Sequence, residues 1–394
     1  MRRQLRPPSP DPGAPPGGLT FAANPLPSLD RRRFALLTGA AAFAPSLGRA
    51  DVPTAAIIAE GGSAFERIID TASAFNLAIV QGCDFLQVSL VPTKDGVLLA
   101  RRSNELSATT DVASKTAFAD RKAQKTIDGQ AVTGWFSEDF TLAEIKTLRS
   151  REPLPDVRPQ NTRNDGKEPV LTLAEVLDIA RAGCVRTGRV IGVCARMLHP
   201  AYFEELGTPI EDKLARDLTT AGYVSPAAAL WVEAYEPSAL RTFQQFSPVR
   251  RMQLIDLAGA PSNDPDHPYA QMVTEEGLSA VHGWAEGIGV DQGLVIDLDA
   301  VDFPTVTTLV AGAHAAGLAI FSRTARPENG FLPGLLQKGK SGSPDFAGRR
   351  GDVGRLMTGL FATGVDGVAT DAPAAAAKAR DAASHGATGG PSGH

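Results

Sequence analysis

From Ala55 onward the chain alternates short apolar, β-branched runs with stretches of helical periodicity, and that alternation leaves few folds open. The runs are Ala55–Glu60, Phe85–Val91, Val190–Arg196, Ala229–Tyr235, Arg251–Leu257, Gly287–Val290, Ala319–Arg323 and Val365–Thr370. Between them, Ser63–Phe75 places Phe65, Ile68, Ile69, Ala72 and Phe75 on one helical face. Leu173–Ala182, Pro209–Ala221, Pro237–Phe246, Thr274–Ala285, Pro304–Ala316 and Val353–Thr363 supply further helical segments. Strands joined through crossover helices pair in parallel, since a tight hairpin can only return a chain antiparallel. Eight such strands predict an α/β fold, a closed (β/α)8 TIM barrel over residues 51–373. A doubly wound open sheet would carry a glycine-rich phosphate turn after its first strand, and Glu60-Gly61-Gly62-Ser63 does not match that fingerprint.

Two long excursions interrupt the alternation. Residues 97–168 leave the second strand and carry Trp135, Phe136 and the helix-like Thr141–Leu148, while residues 324–352 leave the seventh and are rich in Gly, Pro and charge. Both depart from the C-terminal ends of strands, the face where barrel proteins build their sites, so they are expected to wall or cover a pocket. The segment after Pro373, Ala/Gly-rich and ending Gly389-Gly390-Pro391-Ser392-Gly393-His394, reads as a low-complexity, frayed tail over 374–394.

Residues 1–50 read as a leader. Residues 7–29 are rich in Pro and Gly without periodicity, the pattern of a disordered segment. Asp30-Arg31-Arg32-Arg33-Phe34 then precedes an apolar stretch from Leu37 to Leu47 and the small-residue end Gly48-Arg49-Ala50. A cationic start, a short apolar core and a small residue at the cut make an export signal, and Arg31-Arg32-x-Phe34 is similar to a twin-arginine signal. The expected location is therefore the periplasm or outside the cell, reached through the twin-arginine machinery. A formal net charge of −5, with no basic stripe interleaved with aromatics, argues against a nucleic-acid partner. Cys83, Cys184 and Cys194 form no CxxC pair and sit among apolar residues, so buried thiols are expected in place of a disulfide framework or metal site.

One stretch ties the strands to a known family. Gln81-Gly82-Cys83-Asp84-Phe85-Leu86-Gln87-Val88-Ser89-Leu90-Val91-Pro92-Thr93-Lys94-Asp95-Gly96 resembles the second-strand segment of the periplasmic type of glycerophosphodiester phosphodiesterase. Leu106 and Thr109-Thr110-Asp111, Phe140-Thr141-Leu142-Ala143-Glu144-Ile145-Lys146, and Val170-Leu171-Thr172-Leu173-Ala174-Glu175-Val176 are similar to later segments of that family. Gly287-Ile288-Gly289 and the closing Gly367-Val368-Ala369-Thr370-Asp371-Ala372-Pro373 continue the series in order across the barrel region. The resemblance implies the same barrel and, as the ancestral activity, metal-dependent hydrolysis of a phosphodiester to an alcohol and glycerol 3-phosphate.

The residues that carry this chemistry in the family are replaced. Where the family has a general acid–base His followed by a phosphate-binding Arg, this chain has Glu60 and Gly61. The two metal carboxylates of the second strand fall on Gln87 and Ser89, and the second catalytic His falls on Arg102 or, with a one-residue gap, on Arg101. The third metal carboxylate and a neighbouring Lys fall on Arg196 and Leu198. A hard dication such as calcium or magnesium needs several carboxylate oxygens to replace its water. Gln87 and Ser89 offer neutral oxygens, and an arginine keeps its proton at any working pH. No cofactor is expected, and the resemblance points to a catalytically degenerate member.

Glu60, Gly61, Gln87, Ser89, Arg102, Arg196 and Glu233 are the expected pocket residues, with Asp256 beside them. Arginines in place of a metal suit a small anionic or phosphodiester ligand held by bidentate hydrogen bonds. The same residues also suit an internal network in which Arg196 pairs with Glu60 or Glu233 and fills the mouth. The alternative is an active hydrolase with relocated groups: a Glu233–Asp256 carboxylate pair, a metal on Glu60, Glu233 and Asp256, or His199 beyond the third strand. His199 before Pro200 and His267 within Asn263-Asp264-Pro265-Asp266-His267-Pro268 read as loop and turn residues.

Overall fold

The computed structural model describes residues 55–298 and 303–388; the expected leader over 1–50 and the last six residues of the expected tail lie outside them. Parallel strands β1 (Ala56–Glu60), β2 (Phe85–Pro92), β3 (Gly192–Met197), β4 (Leu230–Ala234), β5 (Arg250–Ile255), β6 (Gly287–Asp291), β7 (Ala319–Ala325) and β8 (Gly367–Thr370) run in sequence order round one sheet. β1 pairs in parallel with both β8 and β2, so the sheet closes on itself as a barrel. Helices α1 (Ala72–Val80), α2 (Leu173–Thr187), α3 (Glu211–Thr220), α4 (Pro237–Gln244), α5 (Glu275–Val281), α6 (Leu309–Ala315), α7 (Val353–Ala362) and α8 (Pro373–Thr388) follow the strands in turn. This is the (β/α)8 TIM barrel that the alternation predicts. Among the described residues no helix is long and apolar enough to cross a membrane.

Three expected elements differ. The helix expected over Pro304–Ala316 begins only at Leu309, because Thr305–Val306 pairs instead as a short antiparallel strand with Ile296–Asp297. The helix expected over Ser63–Phe75 begins only at Ala72. Asp70 sits in the left-handed region (φ 58°), which a helix cannot continue through, and Thr71 then caps α1 by accepting a hydrogen bond from Ala74 N–H. The apolar face of the earlier residues is nonetheless real, because Ile68 and Ile69 are buried. The expected frayed tail is instead α8, a continuous helix. Its alanines carry high helix propensity, and Ala375, Ala376 and Ala379 are buried in the main core, so packing adds to propensity.

The excursion between β2 and α2 opens with a rim strand, Leu98–Ala100, antiparallel to β2. It continues through a hairpin of Ala123–Ile127 and Gln130–Gly134, turned at Asp128-Gly129, and a one-turn helix, Leu142–Ile145. Thr141 and Glu144 close a reciprocal capping box on that helix, as Thr172 and Glu175 do on α2. Lys146 then reaches Glu175 at 3.2 Å and ties the excursion to the barrel wall. Cys83 and Cys194 are buried and Cys184 is half-buried, all three as free thiols.

The barrel interior is layered. Ile58, Cys194, Trp231, Met252, Leu254, Phe321 and Ala369 form an apolar plug separate from the main core. The rings of Trp231 and Phe321 meet edge-on at 5.4 Å, and the Arg250 guanidinium lies 4.2 Å from the Trp231 ring. Side chains two residues apart on a strand share a face. Two residues beyond Ile58, Cys194, Trp231, Leu254, Phe321 and Ala369 stand Glu60, Arg196, Glu233, Asp256, Arg323 and Asp371. The strand period therefore sets a charged layer on top of the apolar one.

Candidate functional site: a ring of charge at the barrel mouth

Strand register brings the expected residues together. Glu60 is paired with Gln87, Ser89 with Arg196, and Arg196 with Glu233, so β1 to β4 deliver these groups side by side. Arg196 stands at the centre: its Nη1 donates to Glu60 Oε1 at 3.1 Å and its Nε to Glu233 Oε2 at 3.0 Å. Its side chain is only 7% exposed and the two carboxylates 3% each, so the triad is sealed from solvent. Burial of a guanidinium disfavours its charge, but Glu233 and Glu60 outweigh that and hold Arg196 protonated.

Within the mouth, Glu60 is the most heavily engaged carboxylate. Arg102 Nη2 lies 3.0 Å from Oε1, and the Thr324 hydroxyl donates to Oε2. Burial works against its ionised form, yet Arg102, Arg196, Arg323 and the Thr324 hydrogen bond hold its carboxyl well below the usual carboxylate range. Gly61, the other residue expected beside it, contributes backbone alone. At φ 66° its N–H donates to Gln87 O at 3.0 Å, and a Cβ there would lie 2.2 Å from Ile69 Cγ1. Gln87 donates to Ser89 Oγ at 3.2 Å, so these two neutral groups turn toward each other.

The rest of the mouth is built by β5 and β7. Arg323 bonds Asp256 Oδ1 at 2.5 Å and lies 4.8 Å from the Tyr235 ring. The expected Glu233–Asp256 pair is therefore not formed as a carboxylate couple: each member is committed to its own arginine, Glu233 to Arg196 and Asp256 to Arg323. Arg101, the one-residue alternative to Arg102, is fully buried. Near it, burial pushes Asp70 up to about 6 against the pull of Arg102 and Arg101.

His199 has an orienting partner that sequence reading missed. Its Nδ1 lies 2.5 Å from Asp128 Oδ2 at the tip of the hairpin, and both residues adopt left-handed backbone (φ 49° and 48°). Glu236 is close by, accepting from Ala201 N–H at 3.1 Å and from the Ser262 hydroxyl at 3.2 Å. Burial, with the charge of Asp128 adding to it, pushes Glu236 up to about 7. The Asp-Gly pair between two β-capable runs is a hairpin signal that could have located Asp128, although not its reach to His199. His267 is exposed and pairs with Asp264 at 2.6 Å within its turn, as its sequence context implies.

These donors do not suit a hard divalent cation. Glu60, Glu233 and Asp256 each already face a fixed cation, the neutral oxygens of Gln87 and Ser89 turn toward each other, and repulsion from Arg196, Arg102 and Arg323 adds to the lost hydration. Among the described residues no group of three or more His, Cys, Asp and Glu side chains is placed to hold a metal ion. What the mouth offers chemically is guanidinium, hydroxyl and aromatic surface, suited to holding an oxyanion.

Comparison with known proteins bears on this barrel as a whole. A glycerophosphodiester phosphodiesterase of Arabidopsis thaliana is 29% identical over 287 residues, covering 70% of this chain and 75% of the relative. One from Treponema pallidum is 24% identical over 276 residues, covering 64% and 75%. Among solved structures, the glycerophosphodiester phosphodiesterase of Agrobacterium tumefaciens aligns with a TM-score of 0.51 at 16% identity, over 82% of this chain and 99% of that one. An Oleispira antarctica phosphodiesterase, in complex with the product sn-glycerol-3-phosphate, aligns with a TM-score of 0.51 at 17% identity, over 83% and 96%. At these identities the structural likeness speaks for the fold alone. The Glycerophosphoryl diester phosphodiesterase family matches residues 62–375, four-fifths of the sequence, and the chain belongs to that family.

Proposed function

We propose that this protein is an exported, catalytically degenerate member of its family that binds a small phosphorylated anion at the barrel mouth and does not hydrolyse it by the metal-dependent route. The observation that carries this reading is Arg196, held at 3.1 and 3.0 Å between Glu60 and Glu233 in a sealed triad. A permanently charged guanidinium there repels a dication and cannot exchange protons with a leaving group. The product-bound Oleispira relative supports a phosphorylated small molecule as the ligand class. Arg102, 22% exposed, is the cation of the ring most open to such a ligand.

The test is an assay of the mature protein for glycerol-phosphate release from glycerophosphodiesters, with chelator and with added calcium or magnesium, beside calorimetry with glycerol 3-phosphate. The expected result is binding without release. Turnover that chelator abolishes and metal restores overturns the reading. Arg196→Glu alone is expected to leave the protein inactive, because Glu60 and Arg102 still stand where an acid–base pair is needed. The combination Glu60→His, Gln87→Glu, Ser89→Asp, Arg102→His and Arg196→Glu is the minimal set for regaining release.

A second reading, hydrolysis by relocated groups, is favoured by one observation: His199 oriented by Asp128 with its Nε2 free of hydrogen-bond partners among the described residues. Chelator-insensitive release lost in His199→Ala would select it. Export is tested separately. Replacing Arg31 and Arg32 together with Lys is expected to leave precursor in the cytoplasm, and unchanged delivery counts against a twin-arginine signal.

A further inference from the structure

Four groups converge on the mouth from different parts of the chain, and three of them meet on a single carboxylate. Arg102 follows the rim strand, Arg196 lies in β3 and Thr324 in β7, and all three contact the two oxygens of Glu60 from β1. Two guanidinium groups and a hydroxyl gathered round two anionic oxygens make an anion receptor in the ordinary sense, with the anion supplied by the chain itself.

The three donors are not equally committed. Arg196 is also bonded to Glu233 and stays balanced whatever happens at Glu60. Arg323, the third guanidinium acting on Glu60, is matched by Asp256. Arg102 has Glu60 as its counter-charge, at 3.0 Å. Its Nε and Nη2 make no hydrogen bond among the described residues, so that contact is one of charge, without a well-aligned N–H···O geometry. Arg102 is also far more exposed than Arg196, with 22% of its side chain against 7%. A guanidinium held by charge alone, its contacting nitrogens buried but part of its side chain open to solvent, is the group that can turn to a competing anion.

We propose that Glu60 is a tethered competitor for this anion site, and that a tetrahedral oxyanion, inorganic phosphate or a phosphate monoester, binds by taking Arg102 and the Thr324 hydroxyl from it. The inference rests on the reading of the mouth as a phosphate-binding site and names the residue that sets its affinity. Arg196 remains with Glu233 and keeps the floor of the site closed. Glu60 thereby limits binding to ligands that outbid a carboxylate already in place, which favours a doubly charged phosphate over a singly charged carboxylate.

The experiment is calorimetric titration of the mature protein with inorganic phosphate, and in a second arm with glycerol 3-phosphate, on wild type, Glu60→Gln, and Glu60→Gln combined with Arg102→Gln. Releasing the ion-pair contact of Arg102 and the hydrogen bond of Thr324 from Glu60 is expected to tighten phosphate binding by Glu60→Gln about ten- to a hundredfold over wild type. The double variant is expected to lose that gain. Glu60→Asp, one methylene shorter, keeps the buried charge beside Arg196 and draws the carboxylate back from Arg102; it should show a smaller gain and serves if Glu60→Gln does not fold. Variants that melt cooperatively and bind phosphate no tighter than wild type overturn the proposal, as does a gain that survives loss of Arg102. Wild type binding glycerol 3-phosphate with no gain in the variants sinks this inference and leaves the wider reading standing. Wild type binding neither ligand while Glu60→Gln binds phosphate upholds the inference and removes wild-type phosphate binding from the proposed function.

Discussion

Two buried charge networks lie at the C-terminal face of the barrel, and they are assembled by different means. In the mouth, Glu60, Arg196 and Glu233 come from strands whose register sets them beside one another. The second network is a clasp made largely by loops. Arg158 donates from Nε to Glu328 at 2.5 Å, from Nη2 to Asp371 at 2.6 Å and from Nη1 to Ala64 O at 2.9 Å. Its carboxylate partners lie 170 and 213 residues further along the chain, so it joins the excursion after β2 to the one after β7 and to the end of β8. Both networks face the same cost of removing charge from water. The mouth meets it with groups whose places are fixed by sheet hydrogen bonds, and part of it faces outward through Arg102. The clasp meets it with Arg158 and Glu328, which have no fixed place until the two excursions dock against Asp371 at the end of β8. On the function proposed above, the first is arranged for a ligand to bind, while the second joins loops.

That contrast can be broken most severely at Arg158. Arg158→Ala leaves Glu328 and Asp371 buried opposite no full partner, and a loss of about 4–5 kcal/mol in urea unfolding is expected. A loss under about 1 kcal/mol would mean that the clasp does not hold the excursions. Arg196→Met should cost less, about 3 kcal/mol, because Glu60 keeps Arg102 and Thr324 and only Glu233 is stranded. Adding Glu233→Met should then recover part of that loss, and a double variant weaker than the single one would contradict the reading of Glu233 as a counter-ion.

Glu60 in the mouth and Glu152 beside the clasp should also respond to pH with opposite sign. Glu60, held low, gives stability that is present above its unfolded value near 4.5 and is lost as pH falls toward its folded value. Glu152 accepts from Asn161 at 3.0 Å beside the clasp, and burial, opposed by Arg158, pushes it up to about 7. A carboxyl raised in this way stabilises fully below about 4.5, and that contribution is lost as pH rises through about 7. Between pH 5 and 8 the wild type should therefore lose about 2 kcal/mol more than Glu152→Gln, read by urea unfolding at both values. Parallel slopes for the two proteins would remove Glu152 from the account. The smallest expected effect is Arg323→Lys, which keeps charge for Asp256 but gives up guanidinium contact with the Tyr235 ring, at about 1 kcal/mol in thermal unfolding.

The same contrast explains what was legible in the sequence. The barrel could be read because strand and helix periods repeat in order, and Glu60, Gln87, Ser89, Arg196 and Glu233 could be placed because each lies on or next to a strand whose inward positions recur every second residue. Gly61, expected in the pocket, contributes backbone alone there. In the sequence Arg323 ends a strand pattern and Thr324 opens an excursion, so their part in the mouth carries no signal. Arg158 and Asp128 lie in segments without periodicity, and only three-dimensional docking pairs them with Glu328, Asp371 and His199. The helix expected from Ser63 failed for a local reason, the left-handed backbone at Asp70, which an apolar stripe does not reveal.

The closure of β1 against β8 has a consequence for how the chain is threaded. On the face opposite the mouth, Arg380 of α8 donates to Ala55 O at 3.1 Å and to Asp84 at 2.6 Å, so the start of the first strand and the last helix are fastened to each other. No strand pairing depends on which connection is left open there, since register is carried by neighbours all the way round. A circular permutant that joins the end of α8 to Ala55 by a short linker and is cut at the exposed turn around Gly259 would keep every parallel pairing, and the barrel would then begin in the connection from β5 to α5 in place of at β1.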